Sequence, residues 1–318
     1  MISVVMAVYN GEKFILKQLE SLYKQTKQID ELIVIDDCST DNSVSIIKKY
    51  IKDNEIKNWH IFYNNKNLGY IQTFKKAISK TNGEYIFLCD QDDIWLDNKI
   101  ELVTKIFEEN QKIKSLCTSF MKIDDNDNEI LDKFKRPFSA NHGLIRKNIY
   151  KNEIKKIDLN TILTFNISPG CTCAFRSNIK KEIINSKINI PHDWMINIIS
   201  AIGDGTYFYN KELIKYRIHS GNTLGLKRKY KITDRANICR NEIAAREEIK
   251  SYLIKRNFTN STCLKYLDNL ILFHKKRLEN LQGKKIISSF VWMIKSINKN
   301  GLYDNFAIDA FAIIKGEK

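Results

Sequence analysis

Between Cys89 and Ile94 the chain reads Asp90-Gln91-Asp92-Asp93, three carboxylates within four residues, directly after the apolar run Tyr85-Ile86-Phe87-Leu88-Cys89. Carboxylates so placed can share a divalent cation. Asp90 and Asp92 are two apart, so on an extended chain their side chains lie on one face, and a slight turn brings both to one ion or its water shell. Hard Mg²⁺ or Mn²⁺ prefers oxygen ligands and keeps positions open for substrate phosphates. The same residues also read as an acidic turn ahead of a helix capped by Asp97 or Asn98. A further acid stands in Pro191-His192-Asp193-Trp194-Met195, before an apolar helical pattern, where residue type alone suggests a cap. In Tyr216-Arg217-Ile218-His219-Ser220-Gly221 the alternation of a strand puts Arg217 and His219 on one face, ahead of a glycine loop.

The elements that would position these groups alternate in type. Ser3 to Val8 reads as a strand ending in Tyr9-Asn10-Gly11, and Phe14, Ile15, Leu19 and Leu22 follow at helical spacing. Leu32-Ile33-Val34-Ile35 is a second strand, ending in Asp36-Asp37, with Ser39, Thr40 and Asp41 as N-caps for a helix reaching about Tyr50. Residues His60 to Tyr63 form a third strand, Gly69 to Lys80 a third helix, and the Tyr85 run a fourth strand. This order predicts a parallel sheet with right-handed crossovers. Three strand ends then carry Tyr9-Asn10, Asp36-Asp37 and Asp90-Gln91-Asp92, and ligands of open α/β sheets bind at such carboxyl ends.

Taken together, Val8-Tyr9-Asn10-Gly11, Val34-Ile35-Asp36-Asp37-Cys38-Ser39-Thr40-Asp41, Asn67-Leu68-Gly69 and Asp90-Gln91-Asp92-Asp93-Ile94-Trp95 resemble the family 2 glycosyltransferases. The Asp-Gln-Asp-Asp-Ile-Trp form is most similar to the rhamnosyltransferase-like branch, which builds bacterial surface polysaccharides such as capsule and O-antigen. The resemblance continues through Gly170 to Phe175, His192-Asp193-Trp194 and Tyr216 to Thr223, and stops near Gly225. It implies a GT-A fold, a Rossmann-like α/β architecture with a mostly parallel sheet flanked by helices. The implied activity is inverting transfer from a nucleotide-diphosphate sugar, dTDP- or UDP-linked, to a saccharide or polyprenyl-linked acceptor, with Mn²⁺ or Mg²⁺. By the resemblance Ala7, Tyr9 and Asp37 contact the nucleotide, Tyr9 stacking on a pyrimidine and Asp37 accepting from its N3–H. Position 7 is often Thr in relatives. Asp36 shares that role or caps the following turn. Asp90 and Asp92 match the Asp-x-Asp motif, Asp92 being the direct metal ligand, while Trp95 packs beneath. Asp193 is the general base. Arg217 and His219 touch the diphosphate or the metal, in a loop that closes over the donor, and Gly170 to Phe175 line the acceptor cleft.

Composition divides the chain. Residues 227 to 318 hold 20 Lys and Arg against 9 Asp and Glu, an excess of 11 out of the chain's +15. This tail has no Pro, and its apolar residues recur at helical spacing, as in Ile238, Ile243, Ala245, Ile249, Leu253 and Leu267, Leu270, Ile271, Leu278, Leu281. The expected organisation is therefore a catalytic domain over 1–226, with a nucleotide-sugar half to about 115, and a basic helical region over 227–318. The stripe at 284–297, with Lys at both ends, has the composition of an interfacial helix that packs on the protein or touches an anionic membrane surface. Seven scattered cysteines suggest buried thiols, and no long apolar stretch or signal peptide is evident, which points to a cytoplasmic protein. A nucleic-acid-binding protein would explain the basic tail, but no finger, RNA-recognition or helix-turn-helix pattern accompanies it. A metal-dependent nucleotidyltransferase would bring a Gly-rich basic phosphate loop, which the first turn lacks.

Overall fold

The computed structural model describes residues 1–131, 149–221, 231–285, 288, 291 and 304–315. The chain forms two compact units, Met1–Gly225 and Leu226–Lys318. Apart from Lys284, Lys285, Ser288 and Val291, the predicted interfacial stripe lies outside the described residues, as do Asn222 and Thr223 of the glycine loop.

The first unit is built on a nine-stranded sheet with the order β3-β2-β1-β4-β8-β6-β9-β5, and β7 beside β9. β1(Ile2–Val8), β2(Glu31–Asp36), β3(Trp59–Tyr63) and β4(Tyr85–Cys89) run parallel. α1(Ile15–Tyr23), α2(Ser43–Asp53) and α3(Tyr70–Ser79) are the crossovers between them. β1, β2 and β4 are almost wholly buried, which is why they read as continuous apolar runs. Val4, Met6 and Val8 of β1 and Leu32 and Val34 of β2 share a core with Ile15, Leu19 and Leu22 of α1.

Beyond β4 the sheet departs from the mostly parallel expectation. β5(Ile94–Trp95) follows β4 after four residues, too few for a crossover, and pairs antiparallel with β9(Thr206–Arg217). β8(Cys173–Arg176) is antiparallel to both β4 and β6(Ser115–Ile123), and β6 runs parallel to β9. β7(Ile154–Lys156) is antiparallel to β9. This arrangement serves the site. The 3₁₀ turn Gly170–Thr172 lies against β4, and the pairing of Ile94 with Lys215 sets Arg217 beside the acids at 92 and 93. The acids do not cap the next helix. α4(Lys99–Glu109) starts after β5, and Asn98 occupies its N-cap position without a side-chain cap bond. α5(Leu159–Thr164), α6(Lys180–Asn185) and α7(His192–Ala201) complete the unit.

The second unit contains α8(Ile232–Lys255), α9(Ser261–Gln282) and α10(Asp304–Lys315), with α8 packed on α9 and α10 on α8. Its buried stripe is rotated from the predicted one. Ile249, Leu253, Leu267, Leu270, Ile271 and Leu281 are inside, but Ile238, Ile243 and Ala245 are not fully buried, and α8 buries Arg235 and Arg246 instead. Among the described residues no helix is long and apolar enough to cross a membrane.

Candidate active site

β2, β1 and β4 end on one edge of the sheet, and the loops that leave them are stitched together. Gln91 Oε1 accepts the Tyr9 N–H at 2.9 Å, and its Nε2 donates to the Tyr9 carbonyl at 3.0 Å. Asn10, at a φ of 49°, donates its N–H to Ser39 Oγ and accepts the Thr40 N–H on Oδ1. With its backbone so held, Tyr9 remains 49% exposed, which is what a stacking surface requires. Ala7 is half-buried on the same strand.

The two acids after β2 divide their roles. Asp36 is buried and accepts the Ser39 N–H at 3.2 Å, so it caps the turn rather than facing the cleft. Asp37 is also buried: Oδ1 accepts from Asn64 Nδ2 at 2.7 Å and Leu68 N–H at 2.8 Å, and Oδ2 from Gly69 N–H at 2.8 Å. Gly69 presents that N–H at a φ of 75°, where a residue with a side chain would be strained. A carboxylate offers about four lone-pair positions. Asp37 therefore organises the Asn64–Gly69 loop and keeps one acceptor position on Oδ2.

The acids after β4 form the electrostatic centre. Asp92 Oδ2 lies 2.8 Å from His219 Nε2, and His219 Nδ1 faces the Gly221 N–H at 3.2 Å. Asp93 is fully buried and accepts the Arg217 N–H at 2.9 Å; burial and then the Asp92 charge push its carboxyl up to about 7. Asp90 is half-buried, and its carboxyl is pushed well up by burial and then by the charges of Asp93, Asp92 and Asp193. Beneath them Lys99 is fully buried, donates to the Cys171 carbonyl at 2.7 Å and lies 3.4 Å from the centre of the Trp95 ring. Burial pulls its amine down to about 8.

Arg217 corrects the expectation of a diphosphate contact. It is 0% exposed, and its guanidinium is turned into the protein: Nε donates to the Asp92 carbonyl and Nη1 to the Asp124 carbonyl, each at 2.8 Å, and Nη2 pairs with Asp127 at 2.5 Å. It holds the acids in place from behind.

Asp193 is the second residue of α7, where the helix dipole favours negative charge. Its Oδ2 accepts from Asn166 Nδ2 at 2.7 Å. Gly170 allows a close approach to the start of this helix, because a Cβ there would stand 2.9 Å from His192 Nε2. The His192 ring stacks on Phe74 at 3.9 Å and meets Tyr70 edge-on at 5.8 Å; its burial lowers its proton affinity. The Tyr70 hydroxyl is pushed up by burial and then by the charges of Asp193 and Asp90, so it senses both carboxylates.

The chain that carries this site matches a known family. A profile described as "Glycosyl transferase family 2" matches residues 3–181. The chain belongs to glycosyl transferase family 2. An uncharacterised glycosyltransferase of Rickettsia bellii is 32% identical over 224 residues, which is 70% of this chain but 29% of that longer relative. Among solved structures, the S. aureus TarS 1-349 complex with UDP-GlcNAc is similar over 99% of this chain and 92% of its own, with a TM-score of 0.58 and 18% identity. The mannosyltransferase PcManGT of Pyrobaculum calidifontis, with GDP-Man and Mn²⁺, is similar over 98% of this chain and 84% of its own, with a TM-score of 0.55 and 12% identity. At those identities the likeness shows the shared GT-A fold.

The residues of this family 2 chain suit a divalent cation. Asp90, Asp93 and Cys171 have ligand atoms within 4.8 Å of one another, and like-charge repulsion contributes to raising both Asp90 and Asp93. Asp92, whose charge acts on both acids, brings His219 with it. Carboxylates suit Mg²⁺ and Mn²⁺, and an imidazole beside them suits a transition metal, which favours Mn²⁺ over Mg²⁺. Sequence spacing points to Asp92 and His219. It does not point to Asn166, Tyr70 or Lys99, whose types are common and whose partners lie far away along the chain.

Proposed function

We propose that this chain transfers a sugar from a nucleotide-diphosphate donor, dTDP- or UDP-linked, to an acceptor hydroxyl with inversion at the anomeric carbon. The observation that carries this reading is the gathering of Asp90 and Asp93 with Cys171 within 4.8 Å at the end of β4, beside the Asp92–His219 pair, in a chain of glycosyl transferase family 2. Asp193 is near enough for its charge to raise the Asp90 carboxyl, and Tyr70 responds to both.

In this reading Tyr9 stacks on the base, and the remaining Oδ2 position of Asp37 accepts its N3–H. Asp90, Asp92 and His219 would hold a cation, which would offset the charge developing on the departing diphosphate. Asn166 holds one oxygen of Asp193, leaving the other to accept the proton of the acceptor hydroxyl. The acceptor oxygen forms its bond to the anomeric carbon as the bond from that carbon to the phosphate oxygen breaks on the opposite side, and the electron pair leaves with the nucleoside diphosphate. The acceptor is a saccharide, lipid-linked in surface polysaccharide synthesis, met at an anionic membrane face that the basic tail approaches.

A thermal-shift panel of UDP-, dTDP- and GDP-sugars, with and without Mn²⁺, tests the donor, since a ligand that binds only the folded state raises its stability by mass action. A uridine or thymidine diphosphate sugar should raise the melting temperature, and more so with Mn²⁺; a flat panel would overturn the reading. Asp193→Asn should cut turnover by about 10²–10⁴-fold, the usual worth of a general base, with donor binding intact.

A further inference from the structure

Phe14 precedes α1, its N–H bonded to the Gly11 carbonyl at 3.1 Å, and it is 7% exposed. Three basic side chains gather on its ring. The Arg217 guanidinium carbon lies 4.5 Å from the ring centre, Lys13 Nζ 4.8 Å, and the His219 ring centre 4.9 Å at an interplanar angle of 52°. An aromatic face is electron-rich and holds such groups by its quadrupole. Lys13 reaches on to Asp125, and Arg217 pairs with Asp127, which Lys17 also meets. Inward, Arg217 at the end of β9 and His219 two residues beyond it fix Asp92 twice: Arg217 Nε binds its carbonyl and His219 Nε2 its carboxylate, both at 2.8 Å. One ring therefore backs both groups that hold Asp92.

We infer that Phe14 is a positioning residue for the Asp92–His219 pair, setting the carboxylate and imidazole at the spacing that receives a cation and the diphosphate it accompanies. The inference rests on the reading of that pair given above. Neither Asp92 nor His219 is held by the sheet alone, because β4 ends at Cys89 and β9 at Arg217. The ring supplies a surface for the imidazole and for the guanidinium behind it. Leucine at position 14 would fill much of the volume without offering a face to either group. Partners that orient ligands from behind typically contribute about 10–100-fold in metal affinity.

The test uses the full chain and calorimetric titration of Mn²⁺ in the presence of UDP, with UDP alone as the control. Phe14→Leu should weaken Mn²⁺ binding by about 10-fold or more. UDP binding without metal should stay at its wild-type value, because the proposed base contacts, Tyr9 and Asp37, do not depend on the ring. Phe14→Tyr, which keeps the face, should retain Mn²⁺ affinity, and Phe14→Met replaces Phe14→Leu if that variant does not fold. Wild-type Mn²⁺ affinity in Phe14→Leu, alongside a loss in His219→Ala, overturns the role of Phe14 alone. Mn²⁺ affinity indifferent to both His219→Ala and Asp92→Ala overturns the reading of the pair and this inference with it. An equal loss of UDP binding with and without Mn²⁺ in Phe14→Leu marks a general structural defect and also overturns it.

Discussion

Asp37 and Asp92 are both strand-end carboxylates, yet their lone pairs are committed differently. Asp37 gives three acceptor positions to Asn64, Leu68 and Gly69, whereas the Asp92 carboxylate meets the imidazole of His219. Their substitutions should therefore separate. Asp92→Ala should abolish the Mn²⁺-dependent part of UDP binding, while Asp37→Ala should weaken UDP binding with or without Mn²⁺ and also destabilise the fold. The second cost follows from leaving buried donors unpaired, at about 1–3 kcal/mol each. Calorimetry with and without Mn²⁺, beside a melting curve, reads both effects; identical profiles for the two variants would refute the division of labour. Asp92 and His219 are legible in the sequence because acid spacing and strand alternation are local signals. The orientation of Arg217 is not legible there, for a physical reason: its charge and its face are local properties, but its burial depends on β5 and the 124–127 loop closing over it. Asp36 fits two roles by residue type, and the turn it caps decides between them.

At the scale of elements, the β1–α1–β2–α2–β3–α3–β4 run is readable because each of these strands is a short apolar block and each helix a clear stripe. β6 is not. Its burial runs unbroken over Ser115–Ser119, then loosens where the register with β9 slips, so neither alternation nor a uniform apolar block marks it. α8 is visible as a helix, but its inward face is not, because two of its inward positions are arginines. Arg235 Nε binds Asp309 Oδ1 at 2.7 Å and Arg277 Nη2 binds the same oxygen at 2.9 Å, so a carboxylate of α10 joins α8 to α9. Removing one partner of a buried pair leaves charge uncompensated, at about 3–5 kcal/mol. Asp309→Ala should cost that much, whereas Asp268→Ala, which breaks the exposed pair with Lys250, should cost about 0–1 kcal/mol. Equal losses of stability in chemical denaturation would show that the junction does not hold the helices together. His274 of α9 adds a pH dependence. It is 2% exposed, and burial, then Arg246 and Arg277, hold its imidazole well below the ordinary value. Below about pH 6.5 the unfolded chain binds at His274 a proton that the folded chain refuses, so this residue's contribution to stability falls as pH falls, by about 1.4 kcal/mol per unit. The stability difference between the wild type and His274→Gln should therefore carry that slope in denaturation curves taken from pH 7 to pH 5, and a difference that does not change with pH would refute it.

Over the whole molecule, charge is divided as sharply as structure. Of a net +15, residues 227–318 contribute an excess of 11, and the unit they form has its own small core around Cys239, Leu281 and Ile313. Most of its Lys and Arg residues take no part in the Asp309 junction. They include Lys255, Arg256 and Lys265, and exposed Ile254 and Leu272 add apolar surface to the same two helices. A basic surface of this kind is attracted to anionic lipid by about 1 kcal/mol per Lys or Arg near the membrane, and the attraction is screened over about 8–10 Å at physiological salt. The protein should therefore sediment with phosphatidylglycerol vesicles at low salt and less with neutral ones, and its binding should weaken as salt rises. Apolar insertion would leave a remainder of binding that salt does not remove. Lys255→Glu combined with Arg256→Glu should reduce sedimentation without changing UDP affinity, since the proposed nucleotide-binding edge lies wholly in the first unit. Equal failure to bind anionic and neutral vesicles at low salt, by protein that still binds UDP, would leave the tail's charge to some other partner and remove the membrane from the proposal.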